Sequence, residues 1–174
     1  HSFKFILHIL QTVQIRPFQL QDYPRVKQIY QDGMDTGLAT FEVTAPSFEV
    51  WDKNFWKHCR LVAIMSNKLI GWAALTSVSS RKVYEGVKET CIYVDVHVLG
   101  KGIGRSLLND LITESEKLGV WTLQAVIFPE NIASLKMHEQ LGFVVVGTRK
   151  GIGKRDGIWR DTVLLERRSG IVGI

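Results

Sequence analysis

Apolar residues recur along this chain in two rhythms, one suited to helices and one to strands. In DYPRVKQIYQDG, Val26, Ile29 and Tyr30 share a helical face, Asp22 can cap the helix, Pro24 suits its first turn and Gly33 marks its end. Beyond Pro46 and Ser47, the residues Phe48, Trp51 and Phe55 fall on one side of a second helix, a packing stripe and no platform for bases. From Arg105 to Leu118, Leu107, Leu108, Leu111, Ile112 and Leu118 mark the face of a third helix that Gly119 stops. NIASLKMHEQLG supplies a fourth helix. Between them, VQIRPF, RLVAIMS, LIGWAALTSV, ETCIYVDVHV, WTLQAVIF, FVVVGTRK and IWRDTVLLER have strand character. The two-residue turn Asn67-Lys68 predicts a β-hairpin, and a glycine-rich region joins the last two strands as another. About seven strands and about four helices in mixed order, without internal repeat, predict an α/β (α+β) fold.

Composition narrows this picture. A chain of 174 residues, 45% of them hydrophobic, suits one domain with a sizeable core. We place that domain at residues 15–167, with 1–14 an extension, in part foreign to the protein, and 168–174 a tail. The opening HSFKFILHILQTV is apolar but short, has no cleavage pattern after it, and receives no function. No apolar run approaches the ~20 residues that cross a bilayer. The formal charge of +5 favours anionic partners, but the basic residues are dispersed, so an anionic cofactor accounts for it better than nucleic acid. Cys59 and Cys91 lack a CxxC partner or a histidine at metal-ligand spacing, so buried, reduced thiols in a cytoplasmic protein without metal are expected.

The chemistry concentrates in VLGKGIGRSLLNDLI, a strand, glycine turn and helix in succession. GKGIG is no P-loop, because Gly-Lys-Ser/Thr is missing at the required spacing, and Gly100, Gly102 and Gly104 lack the dinucleotide G-x-G-x-x-G pattern. Converging backbone N–H groups, a helix N-terminus and the charges of Lys101 and Arg105 still predict a pyrophosphate cradle. LGKGIGRSLL resembles the R/Q-x-x-G-x-G/A segment of the GNAT N-acetyltransferase superfamily. That resemblance implies a mixed central sheet and a turn, Leu99, Gly100, Lys101, Gly102, Ile103, Gly104 and Arg105, that binds the pyrophosphate of acetyl-coenzyme A. Leu99 stands where the family carries Arg or Gln, so a side-chain contact is lost while the backbone cradle is intact.

Four more segments, ATFE from Ala39, ETCIYV from Glu89, ENIASLKMHEQLGF from Glu130 and GKRDGIWRDTVLLER from Gly153, are similar in order and spacing to phosphinothricin acetyltransferase-like enzymes. The resemblance spans roughly Ile15 to Arg167 and implies acetylation of the amino group of small amino-acid analogues such as phosphinothricin, methionine sulfoximine and methionine sulfone. An amine attacks a thioester only as the free base, so a carboxylate must take its proton. Glu89 matches the family's proposed base; on its own it equally suits a solvated strand end. The strand is expected to splay from its neighbour, freeing the backbone at Tyr93 and Val94 for the pantetheine arm while their side chains pack in the core. Asn131, otherwise an N-cap, and Ser134 are implied as pantetheine contacts. His138 shares their helical face and holds the position of the acid that protonates the departing thiolate; a lone helical histidine is otherwise a packed or surface residue.

Arg81 suits a substrate carboxylate through a bidentate fork, and equally a solvated loop; Tyr84 and Phe41 are expected to shape the acceptor pocket with Glu89. Lys154, Trp159 and Asp161 match a family segment near a dimer interface, so a homodimer is expected. Alternatives remain: a protein N-terminal or polyamine acetyltransferase, or a non-catalytic acyl-CoA-binding module.

Overall fold

The computed structural model describes residues 12–174, so the apolar opening lies outside the described residues as far as Gln11. Seven strands form one sheet in the order β1-β2-β3-β4-β5-β7-β6. In chain order the elements are β1 (Gln14–Pro17), α1 (Tyr23–Asp35), α2 (Phe48–Asn54), β2 (Leu61–Met65), β3 (Lys68–Ser77), β4 (Val87–Val94), α3 (Ile103–Lys117), β5 (Thr122–Ile127), α4 (Ile132–Gln140), β6 (Val144–Arg155) and β7 (Ile158–Arg168). The seven strands and four helices agree with the sequence pattern, and the sheet is mixed because β4 and β5 run parallel while every other pair is antiparallel.

Two cores lie on opposite faces of the sheet. On one, α3 sinks Leu107, Leu108 and Leu111 entirely against β2, β3 and β5, each such side chain contributing roughly 1.5–3 kcal/mol. On the other, α1 and α2 bring Tyr23, Tyr30, Trp51 and Phe55 onto Trp72 and Tyr93, an aromatic cluster with the predicted Trp51–Phe55 stripe at its centre. Ser47 caps α2 through Val50 N–H, as its position before the stripe suggests.

Several boundaries differ from the sequence reading. Gly33 does not end α1, which continues to Asp35; a Cβ at Gly33 would overlap the Tyr93 ring, so the glycine serves close helix–sheet approach. The first hairpin turns at Ser66-Asn67, with φ of 50° and 60°, while Lys68 pairs with Met65. Both central residues of such a turn need positive φ, and asparagine tolerates that well. The last hairpin has its turn at Asp156-Gly157, and β6 runs on through Gly151 and Gly153, absorbing the glycines as register shifts. α3 starts at Ile103, two residues before Arg105. β4 stops at Val94 because the Asp95 carboxylate accepts the His97 N–H and pairs with Arg25, folding Val96–Val98 into a 3-10 turn.

The feature that positions a site is the parting of β4 from β5. Their pairing is confined to Val87–Glu89 against Thr122–Gln124. Beyond Glu89 the strands separate, and a cleft opens through the sheet.

Candidate active site

The cleft measures about 310 Å³ and is lined from both faces of the sheet, by Glu89, Cys91 and Tyr93 and by Thr90, Ile92 and His138. Strand alternation makes this division: Cys91 and Tyr93 pack with the aromatic core, whereas Ile92 and Val94 pack against the aliphatic one. Glu89 is the last residue of β4 still paired to β5, on the aromatic side. Its Oε2 accepts a hydrogen bond from Gln124 Nε2 at 2.6 Å, and its Oε1 has no partner among the described residues.

The open edge of β4 is a row of backbone groups. Asp95 N–H donates to Ile70 O, which makes residues 70 and 95 a hydrogen-bonded antiparallel pair. Stepping back by twos along the register turns the backbone groups of Tyr93, Cys91 and Glu89 toward β3. Those of Thr90, Ile92 and Val94 therefore face the cleft. The backbone groups of Val94 and Ile92 thus lie on the open edge, and those of Tyr93 do not. The Tyr93 side chain is buried in the core as expected.

On the cleft's other side, His138 of α4 is only 4% exposed. Its Nδ1 lies 2.8 Å from Ser134 O, which only an N–H can satisfy, so Nε2 is the acceptor and faces Thr90 Oγ1 at 3.5 Å. Burial pushes the imidazole below its ordinary pKa, and the Ser134 carbonyl offsets this only in part. The side chain is thus a neutral ring whose single proton points at the helix backbone. Ser134 Oγ stands 3.5 Å from the same Nδ1. Asn131 Oδ1 caps α4 by accepting Ser134 N–H, and its Nδ2 donates to Leu38 O at 3.3 Å.

At the end of β4 the glycine turn is built for an anion. Gly100 and Gly102 have φ of 79° and 76°, and no atom lies within 4 Å of a Cβ built on either, so backbone conformation and not crowding demands glycine there. No side chain caps α3 at Gly102, which leaves the first-turn N–H groups aimed outward at the positive end of the helix. Ile103 is buried as an anchor, whereas Leu99 is 63% exposed. Gly104 serves packing instead: a Cβ there would come within 3.1 Å of Met137 Sδ on α4. Arg105 donates to Gln140 Oε1 at 2.8 Å, tying the two helices, while Lys101 lines a separate hollow with Arg25, Lys68 and His97. The turn therefore fits a pyrophosphate through its backbone.

The acceptor end is walled by the segment from Leu38 to Phe41. Phe41 packs edge-on against Phe128, with ring centroids 4.9 Å apart, and against Gly153, where a Cβ would meet the ring at 2.9 Å. Arg155, buried, donates to Thr40 O, Glu42 O and Met34 O, and Arg160 donates to Gly37 O. Arg81 and Tyr84 are not brought to the cleft. They lie on the exposed approach to β4, the Arg81 guanidinium 5.3 Å over the Tyr84 ring, beyond the end of the sheet. On the last hairpin, Lys154 stacks over Trp159, and Asp161 accepts from Lys150 and Gly151 N–H. Sequence reasoning missed Gln124, Thr90, Ile92, Phe128 and Arg155; the one visible signal was Gln124, an amide inside the aliphatic run TLQAVI.

Cys59 and Cys91 are free, and burial raises both thiols, Cys59 to about 11. No helix among the described residues is long and apolar enough to cross a membrane.

A mixed sheet parted beside an acid, ending in a glycine turn at a helix N-terminus, is the architecture of an acyl-CoA-dependent transferase. The chain matches the Acetyltransferase (GNAT) family over residues 23–143 and belongs to it. Acetyl-CoA is the co-substrate of this family. The chain is similar to a phosphinothricin N-acetyltransferase of Alcaligenes faecalis, at 34% identity over 88% of this chain and 81% of that one. It is also similar to an L-methionine sulfoximine/L-methionine sulfone acetyltransferase of Pseudomonas paraeruginosa, at 26% identity over 89% and 94%. Among solved structures it resembles a GNAT superfamily phosphinothricin acetyltransferase from Sinorhizobium meliloti in complex with AcCoA, with a TM-score of 0.84, 29% identity and coverage of 93% and 91%.

Proposed function

We propose that the protein transfers acetyl from acetyl-CoA to the amino group of a small amino-acid-like substrate of the phosphinothricin, methionine sulfoximine or methionine sulfone type. One observation carries this reading: Glu89 stands at the point where β4 and β5 part, with Oε1 free of partners among the described residues. Acetyl-CoA, when bound, supplies an activated acyl group whose thiolate can leave. Backbone N–H groups of Ile92 and Val94 offer hydrogen bonds to the pantetheine arm and the thioester oxygen along the open edge of β4, and the turn from Gly100 to Ile103 holds the pyrophosphate.

Glu89 Oε1 takes one proton from the incoming ammonium, directly or through a water. The freed nitrogen lone pair bonds to the acyl carbon, the carbon–sulfur bond breaks with its electron pair on sulfur, and the second proton that the nitrogen loses on becoming an amide passes, directly or through a water, to the departing thiolate. His138 is poorly suited to supply that proton from Nε2, since its ring is neutral with the proton on Nδ1; its part is to fix Thr90 and the start of α4. Phe41 and Phe128 form the apolar wall of the acceptor pocket.

Residues 15–167 form the catalytic domain in this reading, and the protein works in the cytoplasm, where free thiols stay reduced. It acts as a homodimer through the last hairpin, which exposes Ile158 at 64% and Trp159 at 62% near its turn, and Val144 and Val146 at its other end. Light scattering should give twice the chain mass, and monomer for Trp159→Glu.

The test of the activity is thiol release from acetyl-CoA with phosphinothricin, methionine sulfoximine, methionine sulfone, spermidine and a short peptide as acceptors. Turnover with the amino-acid analogues alone is expected, and Glu89→Gln should lower kcat/KM by about 10²-fold or more. Turnover with spermidine or peptide in preference would overturn the substrate class, and undiminished turnover in Glu89→Gln would remove Glu89 as the base.

A further inference from the structure

We propose that Gln124 is a positioning residue for the transfer, holding the Glu89 carboxylate by Oε2 so that Oε1 is turned to the incoming amine. The inference rests on the reading of Glu89 as the base.

Gln124 sits directly across from Glu89 on the last shared rung of β4 and β5. Its Nε2 donates to Oε2 at 2.6 Å, a short bond of the charge-assisted kind, which removes the rotamer freedom an unpartnered glutamate otherwise has. Thr90 Oγ1 also lies 3.4 Å from Gln124 O, so one residue grips both side chains at the fork where the strands part. The surroundings offer no substitute donor on β5, where the neighbours of Gln124 are Leu123, Ala125 and Val126. A polar amide half-buried in an aliphatic strand has no packing advantage, so its bond to Glu89 is its contribution.

The experiment is the steady-state kinetics of methionine sulfone acetylation for wild type, Gln124→Met, Gln124→Glu and Glu89→Gln, with acetyl-CoA affinity and Tm recorded for each. Gln124→Met, close in size but without a donor, should lower kcat about tenfold while the KM for methionine sulfone changes less than about twofold. Gln124→Glu, which sets a second acceptor against the carboxylate in place of the donor, should lower kcat further. Affinity for acetyl-CoA should change less than about twofold in either. If Gln124→Met fails to fold, Gln124→Asn, which keeps the amide but withdraws it by one methylene, is expected to show the same loss of kcat at unchanged KM. A rise in KM at unchanged kcat, or wild-type kinetics in the Gln124 variants beside an inactive Glu89→Gln, would overturn the positioning role and leave the base reading standing. An active Glu89→Gln would instead bring down the base reading on which it rests.

Discussion

The two halves of the cleft are made of different material. The half proposed for the acyl donor is a continuous stretch, the open edge of β4 running into the turn at Gly100 and Gly102 and the first N–H groups of α3, and what it offers a ligand is backbone groups. The acceptor half is assembled from side chains far apart in the chain: Phe41 from the loop after α1, Glu89 from β4, Gln124 and Phe128 around β5, and Arg155 from the hairpin. A site built from backbone survives the loss of a side chain, which is why Leu99 can replace the family's Arg or Gln without disturbing the turn. A site built from side chains depends on whatever clasps them.

The sharpest way to break that contrast is Gly102→Val. Its φ of 76° lies where a β-branched residue is strained by roughly 1–3 kcal/mol, although there is room for the side chain. The KM for acetyl-CoA should rise about tenfold or more and that for the amine little; an unchanged acetyl-CoA KM would show that the turn does not rely on its backbone shape.

The converse substitution is Arg155→Lys, which cannot reach the three carbonyls of Met34, Thr40 and Glu42 at once. The amine KM should rise about fivefold at constant acetyl-CoA affinity, with about 1–2 kcal/mol lost in denaturant unfolding. A matching rise in acetyl-CoA KM would mean the two halves are not separately built.

His138 lies between the halves, and its burial predicts a pH effect on stability. The folded-state pKa lies below the unfolded value of 6.5, so as pH falls through 6.5 the unfolded chain binds a proton that the folded chain resists. Stability is then complete above about pH 6.5 and declines as pH drops toward the folded value. Tm measured between about pH 7.5 and 5 should fall less steeply in His138→Leu than in wild type; equal slopes would place a charged ring in the fold.

The smallest effect is expected from Leu99→Arg. It adds a cation at an exposed position next to the cradle and should lower the acetyl-CoA KM by about two- to threefold, an advantage that disappears at high salt. No change at low salt would indicate that position 99 points away from the pyrophosphate.

Legibility in the sequence followed the same division. The turn and its helix could be read because glycine requirement, helix periodicity and strand order are local, and five consecutive residues carry the whole pattern. Glu89 stands out in the sequence as an acid in the strand that leads straight into that turn, although β4 starts two residues before it. The direction of backbone groups along β4 could not be read, because it depends on which residues the neighbouring strand pairs with: those of Tyr93 turn to β3 and those of Ile92 to the opening. Arg81 suits a carboxylate on chemistry alone and is not brought to the cleft, while the arginine that shapes the wall, Arg155, lies 113 to 121 residues from the carbonyls it holds.

By itself the sequence determined the alternation of strands and helices, the stripe of α3, the aromatic face of α2 and the glycine turn at the start of α3, all properties of short spans whose physics is complete within a few residues. Tertiary structure alone decided where β4 leaves β5, which backbone groups face the opening, that Gln124 meets Glu89, and that His138 lies buried. Each of those depends on strand register and on desolvation by distant segments, and neither quantity exists until the chain has folded.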